Sequence, residues 1–303
     1  MQIFSYFCNM YYRRKLLLAL LEVFDNRLEK ISLQKLLMLV TKQQQKPGFY
    51  FVPYKFGCFS FQANADLTTM TKYKQVITED YSWVKIDNEK YILSLKEEDR
   101  QAIKYIKQIY GNKNADELIK LTYLKYPYFA INSVVLKEKL SIKDYRKVIE
   151  AKPKSDKIKL YTIGYEGITL EEYLNKLILN DIKVLCDVRK NSKSMKYGFN
   201  KSQLQNACDG VGIKYLHISG LGIDSSKRQE LNTQTDYDNL FSIYCAEVLP
   251  QTLGLQEKIL NLLREKERIA LTCFEANINQ CHRKHLGEAI VKLPGFDYQL
   301  KHI

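Results

Sequence analysis

No apolar run in this 303-residue chain reaches the roughly 18 residues that a membrane span requires, so a transmembrane reading is set aside. Met1 to Met10 hold no basic region ahead of an apolar core, and no signal peptide is expected. Cysteine is sparse and unpaired. The seven are scattered without Cys-x-x-Cys spacing, and the number is odd, which argues against a disulfide framework. Reduced thiols in a cytoplasm are the expectation. Internal repeats and low-complexity tracts are absent as well. What is present is 46% hydrophobic residues, enough for real cores, and a length that suggests two domains.

The net charge of +13 is unevenly spread. Residues 1–157 carry 28 Lys and Arg against 17 Asp and Glu, whereas residues 158–303 carry 19 against 17. A basic half suggests a polyanionic partner, most often nucleic acid. General lysine enrichment would have raised both halves.

The division falls near Ala151–Lys157, a short polar stretch with one proline. It separates a domain at 1–150 from one at 158–303. The first half reads as mostly helical: Lys15–Phe24, then Leu33–Thr41 capped by Ser32, then Phe61–Thr71, Glu97–Tyr110 and Ala115–Tyr126. Phe49–Tyr54 is extended. Trp83–Ile86 and Tyr91–Leu95 flank Asp87–Lys90 and predict a hairpin. Helices with a small hairpin describe a winged-helix-like domain, and equally an ordinary interaction domain. Leu33-Gln34-Lys35-Leu36-Leu37, Tyr54-Lys55-Phe56-Gly57 and Leu118–Tyr123 before Tyr126-Pro127-Tyr128 resemble the Panacea-type antitoxin pattern. Cys58 stands where that pattern has proline. This resemblance implies a role in defence or stress control.

The second half alternates. Strands are expected at Lys159–Ile163, Ile182–Val188, Ile213–Ile218 and Arg268–Phe274. Helices are expected at Leu170–Leu179, Gln203–Val211, Tyr237–Leu249, Leu253–Lys266 and His285–Val291. Such alternation predicts an α/β fold, a mainly parallel sheet flanked by helices.

Chemistry concentrates between Thr272 and Arg283. Glu275 follows a strand end, and Cys281, His282 and Arg283 open a helix. Open α/β sheets bind ligands in that crevice. Glu275 is the best candidate for a general acid or base, unless it only pairs with Arg283 or Arg189. Asp187 and His282 are the other catalytic candidates. Asp187 and Arg189 end the second strand, as site residues or as a loop cap and a surface guanidinium. Arg189 offers a planar fork for phosphate. Gly164, Tyr165 and Gly167 lie between a strand and a helix start, as a phosphate loop or a tight turn. Lys190, Lys193 and Lys196 recur every third residue, to hold a nucleic-acid backbone or as a solvated loop. His217 is a site residue or a core histidine.

Cys281 is open to three uses: structural, nucleophilic, or metal-binding. Neighbours on a helix point roughly 100° apart, so Cys281 is not expected to hydrogen-bond His282. Cys281 and His285 share a face. Cys273, Cys281 and His285 would form a zinc set, but no second close cysteine pair supports it, and neither metal nor cofactor is expected.

From Lys159 to Ile303 the chain resembles the domain-of-unknown-function 488 (DUF488) family. The carrying residues are Thr162–Gly167, Asp187-Val188-Arg189, Gly198-Phe199, Tyr215-Leu216-His217, Cys273-Phe274-Glu275 and Cys281-His282-Arg283. Glu166 replaces the usual Ser or Gly, and Asn277-Ile278 the usual Asp-Pro. The resemblance implies a fold and a site but no settled reaction. The function expected is an enzyme processing a base, nucleoside or nucleotide, with N-glycosidic cleavage of a modified base as one form and Asp187 and Glu275 as a carboxylate pair. Phage defence or DNA repair are its settings. The alternatives are a non-enzymatic DNA-binding regulator whose α/β domain senses a nucleotide, and a protein-interaction module. No membrane partner is expected, and the oligomeric state stays open.

Overall fold

The computed structural model describes residues 10–228 and 231–303. The leader reading at Met1–Met10 therefore lies almost wholly outside the described residues. The chain divides into two compact units, Met1–Lys152 and Pro153–Ile303, with the break inside the expected linker. No helix among the described residues is long and apolar enough to cross a membrane.

The N-terminal unit runs α1 (Tyr12–Val23), β1 (Arg27–Glu29), α2 (Lys30–Thr41), β2 (Val52–Tyr54), β3 (Gly57–Phe59), α3 (Phe61–Lys72), β4 (Val76–Glu79), β5 (Ser82–Lys85), α4 (Glu97–Tyr110), α5 (Ala115–Lys125), α6 (Leu136–Lys139) and α7 (Ile142–Glu150). It is mostly helical, as the periodicity indicates. Leu16 to Leu21 of α1 and Leu33 to Thr41 of α2 are buried without interruption, so both helices run through the core rather than over it.

Two local expectations fail. Ser32 does not cap α2; the helix begins at Lys30 and Ser32 is buried within it. The hairpin closes backward, not forward. β5 pairs antiparallel with β4, through Asp80 and Tyr81, and with β1 on its other edge. Asp80 and Tyr81 both have positive φ, 42° and 63°, the twist that a two-residue hairpin turn needs. Tyr91–Leu95 forms a 3₁₀ turn at Ile92–Ser94 instead of a strand.

The segments 33–37, 54–57 and 118–123 meet in space. Gly57 has φ +90°, and a Cβ there would lie 2.5 Å from the Tyr123 ring and 3.0 Å from Lys35 Nζ. Lys35 is buried and donates to the carbonyls of Phe56 and Cys58. Burial lowers its pKa from the ordinary 10.5.

The C-terminal unit runs β6 (Lys159–Gly164), α8 (Leu170–Leu179), β7 (Val184–Asp187), α9 (Lys201–Gly210), β8 (Lys214–His217), α10 (Gln234–Ile243), α11 (Leu249–Gln251), α12 (Leu253–Lys266), β9 (Arg268–Cys273), α13 (Arg283–Val291) and β10 (Gln299–His302). Its sheet has the order β10-β6-β9-β7-β8, and every pairing is parallel. The four expected strands form its body. The fifth, β10, is an edge strand with a mostly exposed pattern that carried no hydrophobic signal. β7 and β9 are buried at every residue, as sheet centres covered by helices must be. A π-helical turn at Tyr244–Val248 joins α10 to α11 just before Pro250, which lacks an N–H. The carboxyl ends of β6, β7 and β9 lie side by side at the centre of this sheet.

Candidate active site at the strand ends

Asp187, the last residue of β7, is fully buried and its two oxygens are taken. Oδ1 accepts from Arg189 N at 3.1 Å and Nε at 2.8 Å; Oδ2 accepts from Arg189 Nη2 at 2.5 Å and Tyr215 Oη at 2.6 Å. Arg189 Nη1 donates to Tyr165 Oη at 2.6 Å and to the Phe199 carbonyl at 3.0 Å. Burial disfavours charge on Arg189, yet the hydrogen bonds and charge of Asp187 outweigh it and raise its pKa. The fork thus turns back onto its own strand's carboxylate. Tyr165 stacks on Phe199 at 4.2 Å, and His217 Nε2 meets the Arg189 carbonyl at 2.9 Å. Asp187, Arg189, Tyr165, Tyr215 and Phe199 make a closed, buried frame.

Two amides of the Gly164–Gly167 loop are taken by the neighbouring strand end. The N–H groups of Tyr165 and Glu166 both donate to the Phe274 carbonyl, at 3.0 and 2.9 Å. The α8 start is closed by a capping box between Thr169 and Glu172. A Cβ on Gly164 would sit 2.0 Å from the Glu275 carbonyl oxygen, so this glycine serves backbone approach. Gly167 has φ +76° with open space around it and serves the turn. Arg283 likewise holds backbone, donating to the Glu275 carbonyl at 2.6 Å. Glu166 accepts from Ala276 N at 2.9 Å. Of the residues offered for a phosphate or substrate, Gly164, Tyr165 and Arg283 hold the backbone of the loop that presents Glu275, with Glu166 beside them.

The second cluster is open to chemistry. Cys273 ends β9. Its thiol lies 3.3 Å from Glu275 Oε2 and 3.7 Å from His282 Nδ1. Cys281 and His282 precede α13 rather than lie in it, and Cys281 is extended, with φ −135° and ψ 130°. The helical 100° separation therefore does not apply, and both side chains face Cys273. His285, expected to share that face, instead packs on Phe241. His282 Nε2–H donates to the Val188 carbonyl at 3.1 Å, which leaves Nδ1 as the lone-pair nitrogen.

Arg228 completes the cluster. Nη1 donates to Glu275 Oε1 at 2.6 Å and Nη2 to His282 Nδ1 at 2.8 Å. The hydrogen bond from Cys281 and the charge of Arg228 pull the Cys273 pKa well down, while burial pushes Cys281 well up. Burial and the neighbouring Cys273 raise Glu275 against the pull of Arg228. Arg228 lies in the long β8–α10 connection, with no motif around it, and no pattern in the sequence singles it out. Tyr215 was legible only as part of the Tyr215-Leu216-His217 motif.

A cavity of about 230 Å³ reaches this cluster at Arg228 and Cys273 and is lined also by Tyr165, Arg189, Lys190 and Lys193 among others, whereas Glu275 lines a second cavity of about 380 Å³ that shares Arg228. Lys190 and Lys193 are exposed at its rim. Lys196 turns inward, donating to the Tyr165 carbonyl at 2.6 Å above the Phe199 ring. The three lysines therefore do not form one stripe.

Fold and cluster together define a parallel α/β unit with a cationic, thiol-floored crevice at its strand ends. Residues 169–290 of this unit match the family described as Domain of unknown function DUF488. The match begins after the Gly164–Gly167 loop and ends before β10. It is shorter than the resemblance from Lys159 to Ile303 implies, and it does not reach the N-terminal unit. No curated protein and no solved structure matches the chain.

Proposed function

We propose that the C-terminal unit is an enzyme that processes a base, nucleoside or nucleotide, and that the basic N-terminal unit binds the nucleic acid that carries it. The observation that carries this reading is the cavity that Lys190, Lys193, Arg228 and Cys273 line, with Glu275 held by Arg228 at 2.6 Å and lying 3.3 Å from the Cys273 thiol. Cationic walls suit a phosphate, and the exposed Phe274 ring suits a flat base. The volume, about 230 Å³, falls below the roughly 300 Å³ of ordinary ligand pockets, which favours a single base or phosphate over a dinucleotide. Asp187 is sealed by Arg189 and Tyr215, so proton transfer falls to Glu275, and the carboxylate pair is set aside. Release of a modified base by hydrolysis is the reaction we favour: water adds to the sugar carbon as the carbon–nitrogen bond breaks, the base leaves with a proton from Glu275, and the proton lost by the water restores that carboxyl. A phosphate drawing Arg228 away frees that carboxyl.

The test is mass spectrometry of bases and nucleosides released from DNA and RNA panels, modified-base DNA included. Wild type is expected to release a product, and Glu275→Gln to lose it by about a hundredfold or more while still binding substrate. Full turnover by Glu275→Gln rejects the reading. A specific observation supports the regulator alternative: α1-β1-α2-β2-β3-α3-β4-β5, with sheet order β1-β5-β4, follows the order of a winged helix-turn-helix with the separate β2-β3 hairpin added between α2 and α3. Duplex binding with no product would favour that alternative.

A further inference from the structure

Cys273, Cys281 and His282 are fully buried, and one ligating atom of each lies within 4.8 Å of the others; among the described residues they are the group so placed. We propose that these three side chains bind a zinc ion, with Glu275 or a water in the fourth position.

The spacing carries the case. Zn–S of about 2.3 Å and Zn–N of about 2.0–2.1 Å at a tetrahedral angle put sulfur and nitrogen about 3.6 Å apart. Cys273 Sγ and His282 Nδ1 are 3.7 Å apart, and Cys273 Sγ and Glu275 Oε2 are 3.3 Å apart. The His282 ring is also set as a ligand's ring is set. Its Nε2–H is held by the Val188 carbonyl, so the lone pair points at the thiols. A cation already stands there. The Arg228 guanidinium occupies His282 Nδ1 and Glu275 Oε1, while its own Nε is buried without a partner. Zinc requires Arg228 to give up Nδ1 only; its contact with Glu275 can remain. Both cysteines bind as thiolates, and the protons released on binding pass to solvent. This inference concerns cation binding and stands whether or not the crevice turns over a base.

The experiment is elemental analysis of the full chain, purified reduced and without chelator, followed by cobalt titration of the stripped protein. The expected result is about one zinc per chain, with intense thiolate-to-cobalt absorption on reconstitution. Cys281→Ser is expected to lose both, and Cys186→Ser, a buried cysteine outside the cluster, to keep both. Should Cys281→Ser fail to fold, the cobalt spectrum of wild type decides. Sub-stoichiometric zinc with no thiolate–cobalt band, in protein whose thiols titrate as free, overturns the proposal.

Discussion

Gly164 shows how much of the crevice hangs on one missing methyl group. Glu275 is presented by a loop whose carbonyl passes where a Cβ would be, at 2.0 Å. Gly164→Ala must push that backbone away, and we expect it to cost about 1–3 kcal/mol of stability, read by urea unfolding; an unchanged midpoint would show that the loop yields freely. Lys35 makes a different residue-scale prediction. Its folded pKa lies below the ordinary 10.5. Between those two values the unfolded chain binds more protons, so stability rises as pH climbs through that window and levels off above it. Lys35→Met should remove this rise, seen by comparing unfolding midpoints of both proteins across alkaline pH. The chemistry-bearing residue types were legible because they sit at strand ends. Their uses were less so. Nothing in Asp187-Val188-Arg189 says that the guanidinium folds back onto the carboxylate two residues away. Nothing near Arg228 marks it as the cation that bridges Glu275 and His282.

At the scale of elements, buried strands and long helices were readable because their periods are strong. The errors fell where a few backbone angles decide. The sequence offers Asp87-Asn88 as a turn, yet the chain turns at Asp80-Tyr81, where two left-handed residues were not visible in a stretch without glycine. Tyr81 has φ 63° and is 86% exposed, so it holds a strained conformation with little packing to lose. Tyr81→Gly is expected to stabilise the N-terminal unit by up to about 1 kcal/mol, less than the full left-handed penalty because glycine also loosens the unfolded chain. A lower melting temperature would contradict this. The start of α13 is the same kind of case with a functional outcome. Had the helix begun at Cys281, the thiol and imidazole would have diverged; beginning at Arg283, it leaves both free to face Cys273.

At the scale of the whole molecule, the charge partition is the property that no single site explains. Nearly all of the excess positive charge lies in residues 1–157, whereas the crevice residues belong to the nearly balanced half. A crevice of about 230 Å³ contacts little of a polymer, so affinity for one must come from elsewhere. Lysine and arginine on phosphates supply affinity by releasing counterions, and that affinity falls as salt rises. The intact chain should therefore bind duplex DNA in fluorescence anisotropy, weakening by about tenfold or more between roughly 50 and 200 mM salt. Neutralising Lys190 and Lys193 at the crevice rim should change that salt slope by no more than about two phosphate contacts while impairing product release. If binding is insensitive to salt, or if those two lysines carry most of the slope, the N-terminal unit is not the polyanion-binding part and its basic surface must serve an acidic protein instead.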